Sequence, residues 1–68
     1  MNTCYRIVIK GRLPRQWWHR FSDMAVSYED ENTVFLGKIP INGVLHEMLT
    51  NLKEMNYSIL VLEKIDHP

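Results

Sequence analysis

The sequence predicts an α+β fold with its elements in the order strand, helix, strand, strand, helix, strand. Three observations carry that expectation. Residues 5–10, YRIVIK, alternate with the period of two expected of a half-buried strand. Residues 43–55 hold Leu45, Met48, Leu49, Leu52 and Met55 in one stripe at helical spacing. Residues 24–39 and 58–65 supply further apolar, strand-like runs bounded by polar turns.

In the first strand Tyr5, Ile7 and Ile9 point one way, and Arg6, Val8 and Lys10 the other. Gly11 ends it, and Pro14 suits the first turn of a helix, where its missing N–H costs nothing. Over 14–23 a helix places Trp17, Phe21 and Met24 within about 60° of one another, with Trp18 about 100° round from Trp17. Trp17 and Phe21 are thereby assigned to the core and Trp18 to its wet border. Met24, Val26 and Tyr28 alternate with Ala25, Ser27 and Glu29 as a second strand. EDEN, residues 29–32, reads as the turn of a hairpin with a loop of about four residues, and TVFLGKI follows as the third strand, closed by Pro40. Asn42 is a good N-cap for the helix over 43–55, because its side chain can accept from an orphan backbone N–H. Asn56 fits the left-handed position that ends a helix, with Tyr57 folding back onto it. SILVLEKI, residues 58–65, is the last strand, and DHP a tail.

Right-handed crossovers then place both helices on one face of a four-stranded antiparallel sheet. This is the ferredoxin-like βαββαβ sandwich in about its smallest form, a single domain over residues 1–68, with the first and third strands central and the others at the edges. A 68-residue domain buries only about 60% of the surface of its unfolded chain, so its stability is marginal. With Cys4 as the one cysteine, neither an internal disulfide nor a cysteine-built zinc site is available to staple it. Self-association is the remaining route.

The pattern of the later strands supports that route. Val34, Phe35 and Leu36 are consecutive and apolar, as are Ile59, Leu60, Val61 and Leu62. Each strand therefore sends apolar side chains to both faces, and Val8 joins them on the helix-free side. Val8, Phe35, Leu60 and Leu62 are the expected interface, with Trp18 as a second contact and Ile59 and Val61 as the alternative pair in the last strand. Burying four such side chains would contribute on the order of 6 to 12 kcal/mol before the costs of association. The expected partner is a second copy, in a homodimer or higher homo-oligomer, through the open sheet face or an edge strand. A docked protein partner is the alternative.

Eight cations balance eight acids, but they are segregated: Arg6, Lys10, Arg12, Arg15 and Arg20 precede Asp23, Glu29, Asp30 and Glu31. The expectation is a dipolar molecule with an acidic turn and a basic side, on which Arg6, Lys10, Arg12 and Arg15 could contact an anion or nucleic acid. RNA-recognition domains share this topology and stack bases on aromatics of the central strands. Here Phe35 is the single candidate ring and the aromatic-rich signature is missing, which weighs against nucleic acid.

Catalytic constellations are thin. His19, His46 and His67 are far apart in sequence, Cys4 has no adjacent histidine or acid to activate it, and neither HxxxH nor CxxC occurs. Gly11 and Gly37 stand alone and make no phosphate loop. No catalytic residue, metal or cofactor is expected. An ACT-like ligand-sensing domain has the same element order, but the GRLP loop after the first strand lacks the acid such ligand loops carry. No apolar run approaches the roughly 20 residues that cross a bilayer, and a lone cysteine suits a reducing, cytoplasmic setting.

The segment TVFLGKIPINGVLHEMLTNLKEMNYSILVLEKI resembles a group of short bacterial proteins of no established function. They share a strand ending in glycine, a helix opening with a Leu-His pair (Leu45 and His46 here), a turn and a last strand. The resemblance implies this fold and a bacterial origin, and it brings no active site with it. The combined expectation is a small non-enzymatic module that self-associates in an interaction or regulatory role.

Overall fold

The structure, a computed structural model, describes residues 2–21, 24–40 and 43–65. Its elements run β1 (Asn2–Lys10), a 3-10 helix (Arg15–Phe21), β2 (Ala25–Glu29), β3 (Asn32–Pro40), α1 (Val44–Glu54) and β4 (Ile59–Ile65). The strands form one sheet in the order β2-β3-β1-β4, with every neighbouring pair antiparallel. β1 and β3 are central and β2 and β4 are edges, as the sequence predicts.

Register fixes which side chains share a face. Ile7 stands opposite Phe35 and Ile9 opposite Thr33, while Val26 and Tyr28 of β2 stand opposite Phe35 and Thr33. These rows meet Leu13, Phe21, Met24, Met48 and Leu52 in one buried cluster, so both helical segments pack on this one face. Phe21 meets Phe35 edge-on, with ring centroids 5.1 Å apart. Phe35 therefore belongs to the core: it is fully buried. Its expected place on the open face, as an interface residue or a base-stacking ring, is corrected by the register. Lys38 and Asn32 carried the signal, since they share strand parity with Val34 and Leu36 and mark that side as outward.

The first helical segment is 3-10 and not α-helical. Three residues per turn eclipse positions i and i+3. Arg15, Trp18 and Phe21 thus form one row, and Trp17 and Arg20 another. Phe21 is buried as expected, but Trp17 is only half-buried, like Trp18, and both pack against the core cluster. A period of 3.6 pairs Trp17 with Phe21; the tighter winding gives Trp18 that place.

The hairpin is tighter than EDEN suggests. Glu29 and Asn32 are a register pair, leaving Asp30 and Glu31 as a two-residue turn in which Asp30 takes φ 57°. The α1 cap is Gly43, at φ 94° with no side-chain hydrogen bond, where Asn42 was expected to cap. Asn42, with Asp23 and the tail Asp66–Pro68, lies outside the described residues. The α1 stripe buries Met48 and Leu52 and rests Leu45, Leu49 and Met55 against the core. At its end Asn56 takes φ 68°, the Tyr57 amide donates to the Leu52 carbonyl and the Asn56 amide to the Lys53 carbonyl. That pairing is the Schellman arrangement anticipated at Asn56.

Candidate functional site

On the helix-free face the register aligns Arg6, Val8 and Lys10 of β1 with Leu36, Val34 and Asn32 of β3. Ala25, Ser27 and Glu29 of β2 continue those rows, and Val61 and Glu63 of β4 stand beside Val8 and Arg6. Among the described residues this face holds no aromatic ring. Its central valines are already covered: Val8 is 5% and Val34 8% exposed. The cover is Arg6. Its guanidinium donates to Glu63 at 2.9 Å and lies 3.7 Å from Glu29. Glu63 is in the Arg6 row and Glu29 in the Lys10 row, so the bridge crosses over the Val8–Val34 row between them. One long side chain masks the apolar centre with its aliphatic stem and answers two carboxylates with its head. Val8 faces the open side as expected, but it is not an exposed contact.

The exposed leucines lie elsewhere. Leu36 is 43% exposed, Leu60 50% and Leu62 45%. Leu60 and Leu62 sit on edge strand β4. A register shift between Val8 and Ile9 places Ile59 opposite Ile9 and Val61 opposite Val8, leaving Leu60 as the extra residue of a bulge. Leu62, opposite Ile7, stands on the helix side and remains exposed. Leu62 was expected on the open face, but its register with Ile7 places it on the helix side, whereas Val61 of the alternative pair stands on the open face opposite Val8.

The four cations grouped by the sequence divide between two places. Arg6 and Lys10 belong to the open face. Arg12 and Arg15 gather round an aromatic pair on the other side. Trp18 and Tyr28 meet edge-on at 5.3 Å; the Arg12 guanidinium lies 4.1 Å from the Tyr28 centroid, and that of Arg15 lies 4.9 Å from Trp18 and 6.0 Å from Tyr28. Arg20 stacks on Trp17 at 4.9 Å. Trp18 Nε1 and the Tyr28 hydroxyl both donate to the Leu13 carbonyl. The Trp18 contact expected at an interface is thus occupied within the subunit by Arg15 and Tyr28.

Thr33 is the residue that sequence reasoning missed. It is fully buried, its hydroxyl oxygen accepts from the Leu13 amide at 2.9 Å, and the hydroxyl donates to the Gly11 carbonyl at 2.8 Å. Asn32 accepts from the Gly11 amide at 3.4 Å. The loop after β1 therefore spends the backbone polar groups of Gly11 and Leu13 on its own scaffold. A polar residue on the core parity of β3 was the available signal for Thr33.

The charge blocks, separate in sequence, meet in space. Lys10 stands opposite Asn32 and Asn32 opposite Glu29, so the acidic turn and the basic loop share one end of the sheet, in place of the expected dipole. His19 Nδ1 donates to the Gln16 carbonyl, 2.9 Å away, and His46 is exposed on α1. His67 lies outside the described residues. Among the described residues no three metal-binding side chains cluster, and no helix is long and apolar enough to cross a membrane.

Residues 4–63 match the family described as a domain of unknown function, DUF8691, and the chain belongs to that family. The match spans β1 to β4 and so takes in every element of the fold. No curated protein and no solved structure matches the chain.

Proposed function

We propose that this is a ferredoxin-like domain acting as a small, non-enzymatic self-associating module, in which β4 of one copy pairs with β4 of another. The strand order β2-β3-β1-β4, antiparallel throughout, supports the ferredoxin-like assignment, with a 3-10 helix standing where that fold has its first α-helix. The observation that carries the self-association is the placement of Leu60 and Leu62. They stand exposed along one unpaired edge, Leu62 on the helix side of the sheet and Leu60 at the bulge. A sheet-on-sheet dimer through the open face leaves Leu62 uncovered, whereas a strand added beside β4 covers part of both and satisfies the outward backbone groups as well.

The magnitude is modest. Covering the exposed half of each leucine contributes about 1 kcal/mol, so about 4 kcal/mol for the pair of copies. Four to six new strand hydrogen bonds add about 1 kcal/mol each. After an association cost of about 4 kcal/mol, the low end of its range, a dissociation constant of about 40 μM to 1 mM follows. Glu63 and Lys64 on the same strand restrain open-ended pairing. Sedimentation of the chain between about 5 and 500 μM tests this. The reading expects a monomer–dimer equilibrium abolished by Leu60→Lys with Leu62→Lys, and left intact by Leu36→Lys on the open face. A monomer throughout that range, or a dimer broken only by Leu36→Lys, overturns it.

A further inference from the structure

The paired arginines at the end of β1 form a second site, carried by observations independent of β4. Trp18 and Tyr28 are held by each other and by the Leu13 carbonyl, so their ring faces are fixed platforms. The Arg12 guanidinium lies on the Tyr28 face at 4.1 Å, and that of Arg15 on Trp18 at 4.9 Å. A guanidinium stacked on a ring uses its flat side and leaves its N–H donors directed outward in the plane. Among the described residues, no carboxylate lies within ion-pair distance of Arg12 or Arg15; Arg6 holds both recorded ion pairs, Glu29 included. The Arg12 and Arg15 heads lie 4.1 and 6.0 Å from the same Tyr28 centroid, so both border one ring. The rotamer entropy that two arginines normally lose on binding has been spent in stacking them.

We propose that Arg12 and Arg15 bind the phosphoryl group of a phosphate monoester. Two planar donor forks suit a dianion with three free oxygens better than a carboxylate, which one fork saturates. A nucleobase is a poor fit, because the ring faces it would stack on are occupied by the arginines themselves.

The test is an NMR titration of the whole chain with inorganic phosphate and with phenyl phosphate, at ionic strength held constant with sodium chloride. The side-chain signals of Arg12, Arg15 and Trp18 are followed. Both probes are expected to give saturating shifts at these groups, with a dissociation constant of about 1 to 10 mM. Arg12→Gln and Arg15→Gln should each weaken binding about ten-fold, and Arg20→Gln, on the neighbouring Trp17 row, should leave it unchanged. Should either glutamine variant lose its dispersed amide spectrum, the lysine variant replaces it; it keeps the charge but loses the fork, and should weaken binding several-fold. Shifts that stay linear to about 50 mM, an equal response to chloride, or equal weakening by Arg20→Gln overturn the proposal.

Discussion

Replacing Thr33 by valine keeps the shape of a fully buried side chain and removes its hydroxyl. Two partners then lose their hydrogen bonds: the Leu13 amide, 2.9 Å away in a buried contact, and the Gly11 carbonyl, 2.8 Å away in a partly buried one. Water can reach the carbonyl more readily than the amide. Leaving the amide unsatisfied costs about 1 to 3 kcal/mol, and the carbonyl adds up to about 1, giving about 2 to 3 kcal/mol in all. A domain of 68 residues has only about 3 to 10 kcal/mol of total stability. The Tm should therefore fall by about 8 to 20 °C. The assay is urea and thermal unfolding followed by tryptophan fluorescence, since Trp17 and Trp18 both pack against the core beside this loop. Thr33→Ser supplies the control, because it keeps the hydroxyl and deletes one methyl, at about 1 kcal/mol. A valine variant within about 0.5 kcal/mol of the parent, or a serine variant worse than valine, would refute the assignment of Thr33 as a polar staple.

Two further outcomes follow from the same geometry. Arg6→Ala uncovers Val8 and Val34, so binding of a hydrophobic dye should rise while unfolding free energy falls by about 1 kcal/mol or less, the usual worth of an exposed ion-pair network; an unchanged dye signal would show that Arg6 does not mask the valines. Asn56→Ala places an ordinary side chain at φ 68° and should cost about 1 kcal/mol, whereas Asn56→Gly should be neutral or stabilising, both read from urea midpoints.

Local signals carried most of the fold. The alternation of YRIVIK, the stripe from Leu45 to Met55 and the αL position of Asn56 each act within a few residues, and each stands where the sequence places it. What failed depended on partners far along the chain. Val34, Phe35 and Leu36 are all apolar, so that run alone does not choose a face; the parity of Asn32 and Lys38 and the pairing with β1 turn Phe35 inward. The β4 bulge exists only against β1, and it breaks the alternation from which the sequence would set the faces of Leu60 and Leu62. Seven residues hold about two turns, too few for periodicity to separate 3.0 from 3.6 residues per turn, which is why Trp17, assigned to the core, is only half-buried, like Trp18. The masking of Val8 needs Arg6 to reach two acids, Glu29 and Glu63, on two different strands. The expectation of an open apolar face ignored this reach of a charged side chain, and the interface proposal accordingly moves from the face to the edge.

The most direct test mixes isotope-labelled and unlabelled copies at millimolar concentration and records nuclear Overhauser effects between them. Strand addition predicts cross-subunit effects at Leu60, Leu62 and the backbone of β4, with Val8 and Leu36 silent. Cross-subunit effects centred on Leu36 and the helix-free face, or none at all, would contradict pairing through β4.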